Sequence, residues 1–179
     1  MKSKTLAVSL LGALLLGACV QAPDLSTVDE HQNDEQAVGT EVPASKLNLR
    51  LPVAGEETVW VSSQYKGKPV LIAFMATWCP WCKRSLPALD QTSISYKDKV
   101  EVVGVFVEND IAPVNQVIKD FNIQSKILYN GGSVAQDLGV NGFPHIMLFD
   151  KDHRLVRVWS GYSDTLGYEY AKEIDKLLQ

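Results

Sequence analysis

Two cysteines separated by two residues are the side chains of this sequence best suited to chemistry. The segment Cys79-Pro80-Trp81-Cys82 follows an apolar run, so Cys79 is expected at the N-terminus of the next helix. Unpaired backbone N–H groups and the helix dipole favour the thiolate form of a cysteine there. A thiolate is the nucleophile of disulfide exchange, and Cys82 lies one helical turn further on. The spacing therefore predicts a redox pair in which Cys79 attacks and Cys82 resolves the mixed disulfide.

The residues next to the pair are expected to shape its surroundings. Pro80 fits the first helical position, where no N–H is needed. Trp78 is expected to pack beside the site, and Trp81 to present an apolar surface next to the reactive sulfur.

Metal binding is the alternative use of a C-x-x-C pair. A zinc site normally has a second ligand pair, whereas this sequence has one further cysteine and three scattered histidines. Copper(I) held by both thiolates and His145 is a further hypothesis, and a strand residue with a hydrogen-bonded ring is the simpler interpretation of His145. His153, in a polar turn, is expected to be solvated. We expect no metal and no other cofactor, because the Cys79–Cys82 disulfide is itself the redox group.

The segments around the pair alternate between strand and helix patterns. Val70–Met75 is a continuous apolar run, as expected for a strand buried on both faces, and Lys83–Ser95 has leucines at helical spacing, with Pro87 as a kink. Asp164 is expected to cap a final helix that ends at Leu178. Such alternation predicts an α/β fold, a central mixed β-sheet with helices on both faces. The other predicted strands are Leu47–Val53, Thr58–Ser62, Val100–Val107, Lys126–Tyr129, His145–Phe149 and Leu155–Trp159, and the other predicted helices are Ile111–Phe121 and Ser133–Leu138.

Composition excludes several classes of protein. The chain has 179 residues, of which 46% are hydrophobic and 21% charged, values typical of a globular protein. A net charge of −4 argues against a nucleic-acid partner, since such proteins are normally basic. Three cysteines are too few for a disulfide scaffold. We expect a monomer.

The first residues predict export. Lys2 and Lys4 precede the apolar run Leu6–Leu16, which is too short to span a bilayer and typical of a signal-peptide core. The run ends in small residues before Cys19, a segment that resembles the lipobox of bacterial lipoproteins. We therefore expect residues 1–18 to be a lipoprotein signal peptide and Cys19 to be lipidated, which would anchor the chain to the membrane. An ordinary secretory peptide is the alternative.

Residues 19–45 are predicted to be the lipidated cysteine and a disordered tether. Val20–Ser45 contains acidic residues but no Lys, Arg or aromatic residue, so it cannot bury a core. Residues 46–179 are then the folded domain, facing the periplasm of a bacterial cell envelope. Val20 stands where enteric lipoproteins retained at the inner membrane often have aspartate, which favours the outer membrane.

Two segments resemble a known family. Phe74–Leu89 is similar to the active-site segment of thioredoxin-like proteins of the TlpA/ResA type, with Pro87 where that family kinks its helix. Val140–Phe149 resembles the segment that carries the family's cis-proline, which would be Pro144. The resemblance covers about Lys46–Gln179. It implies a thioredoxin-like fold and a periplasmic thiol-disulfide oxidoreductase.

The resemblance also implies a binding surface and partners. The loop with Phe143 and Pro144 would pack against the cysteines and, with Trp78, Pro80 and Trp81, contact a substrate peptide that pairs with the backbone. The implied partners are extracytoplasmic proteins with disulfides and a membrane electron donor of the DsbD kind.

The sequence departs from the family at two carboxylates. Cytoplasmic thioredoxins have a buried aspartate where this chain has Ala73, and many TlpA/ResA proteins have a glutamate where it has Ser85. Both carboxylates are thought to assist proton transfer at the buried cysteine, so here the path is left to water or Glu108. Pro80 occupies the second motif position, as in DsbA-type oxidants and cytochrome-c-maturation thioredoxins, so the resemblance leaves the direction of electron flow open. A disulfide reductase is the first hypothesis, with an oxidant or isomerase and a thiol-based metal or haem chaperone as alternatives.

Overall fold

A computed structural model of the chain describes residues 47–179. Cys19, the signal peptide and the tether of the sequence predictions lie outside the described residues. Among residues 47–179, no helix is both long and apolar enough to cross a membrane. The elements in chain order are β1 Arg50–Pro52, β2 Val59–Val61, β3 Val70–Met75, α1 Pro80–Ser95, β4 Glu101–Phe106, α2 Ile111–Phe121, β5 Lys126–Leu128, α3 Gly132–Asp137, β6 His145–Phe149, β7 Leu155–Ser160 and α4 Leu166–Leu177.

The centre of the fold is a five-stranded sheet in the order β5-β4-β3-β6-β7. Strand β3 pairs with β4 in parallel and with β6 antiparallel, β4 pairs with β5 in parallel, and β6 pairs with β7 antiparallel. Every residue of β3 is buried, because this strand is central and both faces of the sheet are covered. Strands β1 and β2 form a separate antiparallel hairpin. The predicted mixed sheet is confirmed.

Alternate residues of the central strands serve two hydrophobic cores. On one face, Leu71 and Ala73 of β3 pack in the cluster that contains residues of α1, α2 and α4. On the other face, Ile72 and Phe74 pack with residues of α3 and of the β1–β2 hairpin, including Trp60. Helices therefore cover both faces, as predicted.

Two local predictions are wrong. Thr165, not Asp164, precedes α4, and it makes no side-chain capping bond; Asp164 instead accepts a hydrogen bond from the Tyr162 hydroxyl at 2.6 Å. His153 is buried rather than solvated. Its N–H donates to the Asp150 carbonyl at 3.0 Å in a tight turn with left-handed backbone at His153. The polar sequence of this turn predicts solvent exposure, and it carries no signal that the His153 side chain is covered by the rest of the domain.

Candidate functional site

Cys79 lies where the buried strand β3 gives way to α1. It is the N-cap of α1, with extended backbone, and Pro80 occupies the first turn. Its Sγ accepts a hydrogen bond from the Cys82 N–H at 3.2 Å. The sulfur thus takes the place of the oxygen that usually satisfies an unpaired N–H at a helix start. The predicted position of Cys79 is confirmed.

The two thiols occupy different environments although both are buried. Burial raises the pKa of Cys82 well above its usual range, and a hydrogen bond with Cys79 and the charge of Glu108 act in the same direction. The backbone amide of Ala76 opposes them. Cys82 is therefore a thiol at neutral pH, while Cys79 holds the N-cap position that favours thiolate chemistry.

The loop before β6 lies against Cys79. The Phe143–Pro144 peptide bond is cis, as the resemblance implied for Pro144. The Cys79 thiol donates to the Phe143 carbonyl with a sulfur–oxygen distance of 3.6 Å. The Phe143 ring meets Trp78 edge-on, with centroids 6.1 Å apart. The structure thus brings Trp78, Phe143 and Pro144 to the redox pair.

A second aromatic group lies on the helix side of the pair. Trp81 stacks on Tyr162 with centroids 5.8 Å apart, and the Arg84 guanidinium lies over the Trp81 ring at 5.0 Å. Trp81 is 52% exposed and Trp78 70% exposed. Sequence reasoning missed Tyr162, which follows β7 and carries no motif that links it to the cysteines.

The positions where relatives carry carboxylates are filled by small residues. Ala73 is buried in β3, and Ser85 is buried in α1, where its hydroxyl donates to the Cys82 carbonyl at 2.8 Å. Glu108 follows β4 at the same edge of the sheet as the cysteines. Its Oε1 accepts hydrogen bonds from the Thr77 N–H at 2.7 Å and the Thr77 hydroxyl at 2.8 Å. Thr77 is a further site residue that the sequence did not single out.

His145 is not placed to complete a metal site with the thiols. The β3–β6 register sets it opposite Phe74, whose side chain packs on the sheet face away from the cysteines. Its Nδ1 lies 3.1 Å from the Ser160 hydroxyl, and burial lowers the pKa of His145. The hypothesis of copper(I) held by both thiolates and His145 therefore fails on strand alternation. Within residues 47–179 no three His, Cys, Asp or Glu side chains are grouped to hold a metal ion.

A five-stranded mixed sheet with a Cys-x-x-Cys pair capping α1 and a cis-proline loop beside it defines a thioredoxin-like protein. Comparison with known proteins agrees. The Redoxin family matches residues 37–176. The chain therefore belongs to the Redoxin family, and the resemblance to thioredoxin-like oxidoreductases of the TlpA/ResA type is confirmed.

Individual relatives carry names from thiol-disulfide chemistry. The thiol:disulfide interchange protein DsbE of Escherichia coli is 30% identical over 187 residues, which cover 97% of this chain and 98% of the relative. The thiol-disulfide oxidoreductase ResA of Bacillus thuringiensis subsp. konkukian is 27% identical over 99 residues, which cover 54% of this chain and 57% of the relative. The match thus spans little more than half the length of that relative.

A solved structure shares the fold. A thiol:disulfide interchange protein DsbE from Chlorobium tepidum superposes with a TM-score of 0.67 at 22% sequence identity, covering 73% of this chain and 93% of that one.

Proposed function

We propose that this chain is a thiol-disulfide oxidoreductase that reduces disulfides of extracytoplasmic proteins through Cys79 and Cys82. The observation that carries the proposal is the asymmetry of the pair, in which the Cys79 sulfur caps α1 while Cys82 is buried with a raised pKa. The Cys79 thiolate attacks a substrate disulfide, and one substrate sulfur leaves with the bonding electrons. Cys82 then attacks the Cys79 sulfur, the second substrate sulfur leaves, and two electrons have passed to the substrate.

The proposed substrate contacts are the residues that surround Cys79. Trp78 with Phe143 and Trp81 with Tyr162 form two aromatic pairs beside the sulfur. Exposed aromatic side chains favour apolar segments of a partner. Pro80 is exposed and presents ring surface without a backbone N–H group, whereas Pro144 is buried. A substrate disulfide in an extended, apolar segment fits this arrangement, with the backbone next to Pro144 as the pairing edge.

Single cysteine variants test the proposed roles. Cys82→Ser removes the resolving thiol, so it should accumulate a mixed disulfide between Cys79 and a disulfide-containing protein, visible on non-reducing gels and by mass spectrometry. Cys79→Ser should form no such adduct, because the buried thiol of Cys82 is protonated at neutral pH. Turnover should be lost in both variants. Faster alkylation of Cys82 than of Cys79 in the reduced protein would reverse the assignment.

The direction of electron flow is the part of the proposal that a redox titration tests. Reduction potentials run from about −270 mV for thioredoxin to about −120 mV for DsbA. A reductase recharged by a membrane donor of the DsbD kind should lie near the thioredoxin value. A value near that of DsbA would instead favour the oxidant or isomerase.

We also propose that Cys19 carries a lipid that tethers the domain to the cell envelope, at the outer membrane. The support is the sequence before Cys19, since this residue lies outside the described part of the chain. Cys19→Ala should move the protein from the membrane fraction to the soluble fraction while thiol exchange in vitro is unchanged. A variant that stays in the membrane fraction would exclude lipid anchoring through Cys19.

A further inference from the structure

Glu108 has a carboxylate whose two oxygens have different surroundings. Oε1 accepts the two hydrogen bonds from Thr77. Oε2 is buried and has no hydrogen-bond partner among residues 47–179. An unpaired buried acceptor destabilises a fold, so its presence in a native structure calls for an explanation such as a catalytic role. Glu108 therefore has one oxygen that is held in place and one that is available.

The loop between β3 and α1 brings this carboxylate to Cys82. Ala76 and Thr77 are consecutive residues of that loop; the Ala76 amide acts on the Cys82 thiol, and the Thr77 amide holds Glu108. The loop itself is fixed by a hydrogen bond from the Cys79 N–H to the Ala76 carbonyl at 3.1 Å. The Cys82 thiol and the Glu108 carboxylate thus interact with the adjacent amides of Ala76 and Thr77, in a short loop that is itself held by a hydrogen bond.

The groups around Glu108 leave its charge without a counterion in the described part of the chain. Its carboxylate forms no ion pair with any residue of 47–179. Thr77, which donates to the carboxylate, and Asn130, whose backbone N–H donates to the Glu108 backbone carbonyl, carry no charge. Asp110 caps α2, where its side chain is exposed and accepts from the backbone of that helix. On α1, the Arg84 guanidinium lies over the Trp81 ring, and the charge of Glu108 acts on the Cys82 thiol.

We propose that Glu108 accepts the proton of Cys82 when Cys82 attacks the mixed disulfide on Cys79. The S–H bond of Cys82 breaks and its proton passes to Oε2, directly or through one water. The freed electron pair forms the Cys82–Cys79 bond, and the bond between Cys79 and the substrate sulfur breaks. The substrate leaves as a thiolate and takes the proton back from Glu108, so no further reagent is needed.

The need for such a group follows from the chemistry of Cys82. A protonated thiol is a poor nucleophile, and Ala73 and Ser85 supply no carboxylate beside it. The inference rests on the proposed function, since it concerns the resolving step of that reaction.

The test measures the two exchange steps separately. Reduced protein is mixed with an aromatic disulfide, and each step releases one coloured thionitrobenzoate anion, so stopped-flow absorbance resolves attack by Cys79 from resolution by Cys82. Glu108→Gln keeps an oxygen for both Thr77 bonds but removes the proton acceptor. We expect an unchanged first phase and a second phase slowed at neutral pH by about tenfold or more, because a positioned base contributes roughly 10²–10⁴-fold.

The pH profile separates proton transfer from a simple charge effect. The charge of Glu108 raises the pKa of Cys82, so its removal alone would increase the thiolate fraction and accelerate the second phase. If Glu108 accepts the proton, the second phase is slower in the variant at neutral pH, and the two proteins converge at high pH, where Cys82 ionises without a base. Acceleration, or equal slowing of both phases, would overturn the proposal.

Two further variants are matched controls. Glu101→Gln makes the same substitution at the other end of β4 and should leave both phases unchanged. Thr77→Val removes one of the two bonds that hold Glu108 and should slow the second phase by less than Glu108→Gln does. A wild-type protein without a second phase would overturn the proposed function together with the role of Glu108. A normal wild-type second phase that Glu108→Gln leaves unaltered would overturn the role of Glu108 alone.

Discussion

The two ends of strand β4 hold glutamates in opposite circumstances. At the beginning of the strand, Glu101 accepts a hydrogen bond from the Trp60 indole at 2.9 Å and pairs with the Lys126 ammonium at 2.8 Å. Just beyond the end of the strand, the Glu108 carboxylate accepts hydrogen bonds only from Thr77 among residues 47–179, and its Oε2 is buried without a partner there. Two carboxylates on one stretch of chain thus differ in whether their charge is neutralised.

The aromatic residues repeat this contrast. Trp60, at the Glu101 end, is 2% exposed and stacks on Tyr65 with centroids 5.5 Å apart. Trp78 and Trp81, at the Glu108 end, are largely exposed. Groups that only stabilise a fold are expected to be buried and satisfied, whereas ligand sites of α/β proteins lie beyond the carboxyl ends of the strands. We therefore expect residues at the Glu101 end of the sheet to contribute mainly to stability and residues at the Glu108 end to contribute mainly to reactivity.

The largest effect is expected from Trp60→Ala. Removal of this buried indole leaves a cavity and deprives Glu101 of a partner, so the free energy of unfolding should fall by about 3–5 kcal/mol. Both phases of thiol exchange should keep their wild-type rates under conditions where the variant is folded. Denaturant unfolding and the stopped-flow assay measure the two properties.

The neighbouring residue Val59 supplies the control. It is 51% exposed, so Val59→Ala should change stability by no more than about 0.5 kcal/mol. Loss of thiol exchange in folded Trp60→Ala would show that the two ends of the sheet are not independent.

The sequence was most informative where one local rule decides the structure. The apolar run Val70–Met75 was predicted as a strand and has those bounds, because a strand covered on both faces needs no polar residue. The position of Cys79 at the start of α1 followed from the strand before it and Pro80 after it. Pro80 was predicted at the first helical position, and α1 begins there.

The details missed by sequence reasoning depend on contacts between distant segments. Thr77 and Glu108 meet because β3 and β4 are parallel neighbours, and Tyr162 reaches Trp81 only once β7 has joined the sheet. The side of the sheet on which His145 lies depends on its register with Phe74. A register shift of one residue would have reversed that side, so no local pattern could determine it.

A smaller effect is expected from Trp81→Ala, which tests whether the exposed aromatic residues bind substrate. Because Trp81 is half exposed, its loss should change the free energy of unfolding by less than about 1 kcal/mol. An exposed tryptophan at a docking surface contributes more to binding, so the KM for a disulfide-containing protein should rise roughly tenfold, while exchange with the small aromatic disulfide stays unchanged. Tyr168→Ala, a substitution of a 73% exposed aromatic residue of α4, should alter neither property. If Trp81→Ala slows exchange with the small and the protein substrate equally, Trp81 acts on the cysteine pair rather than on the partner. The carboxyl end of the sheet would then depend on aromatic packing for its reactivity, and packing would not be a property of the Glu101 end alone.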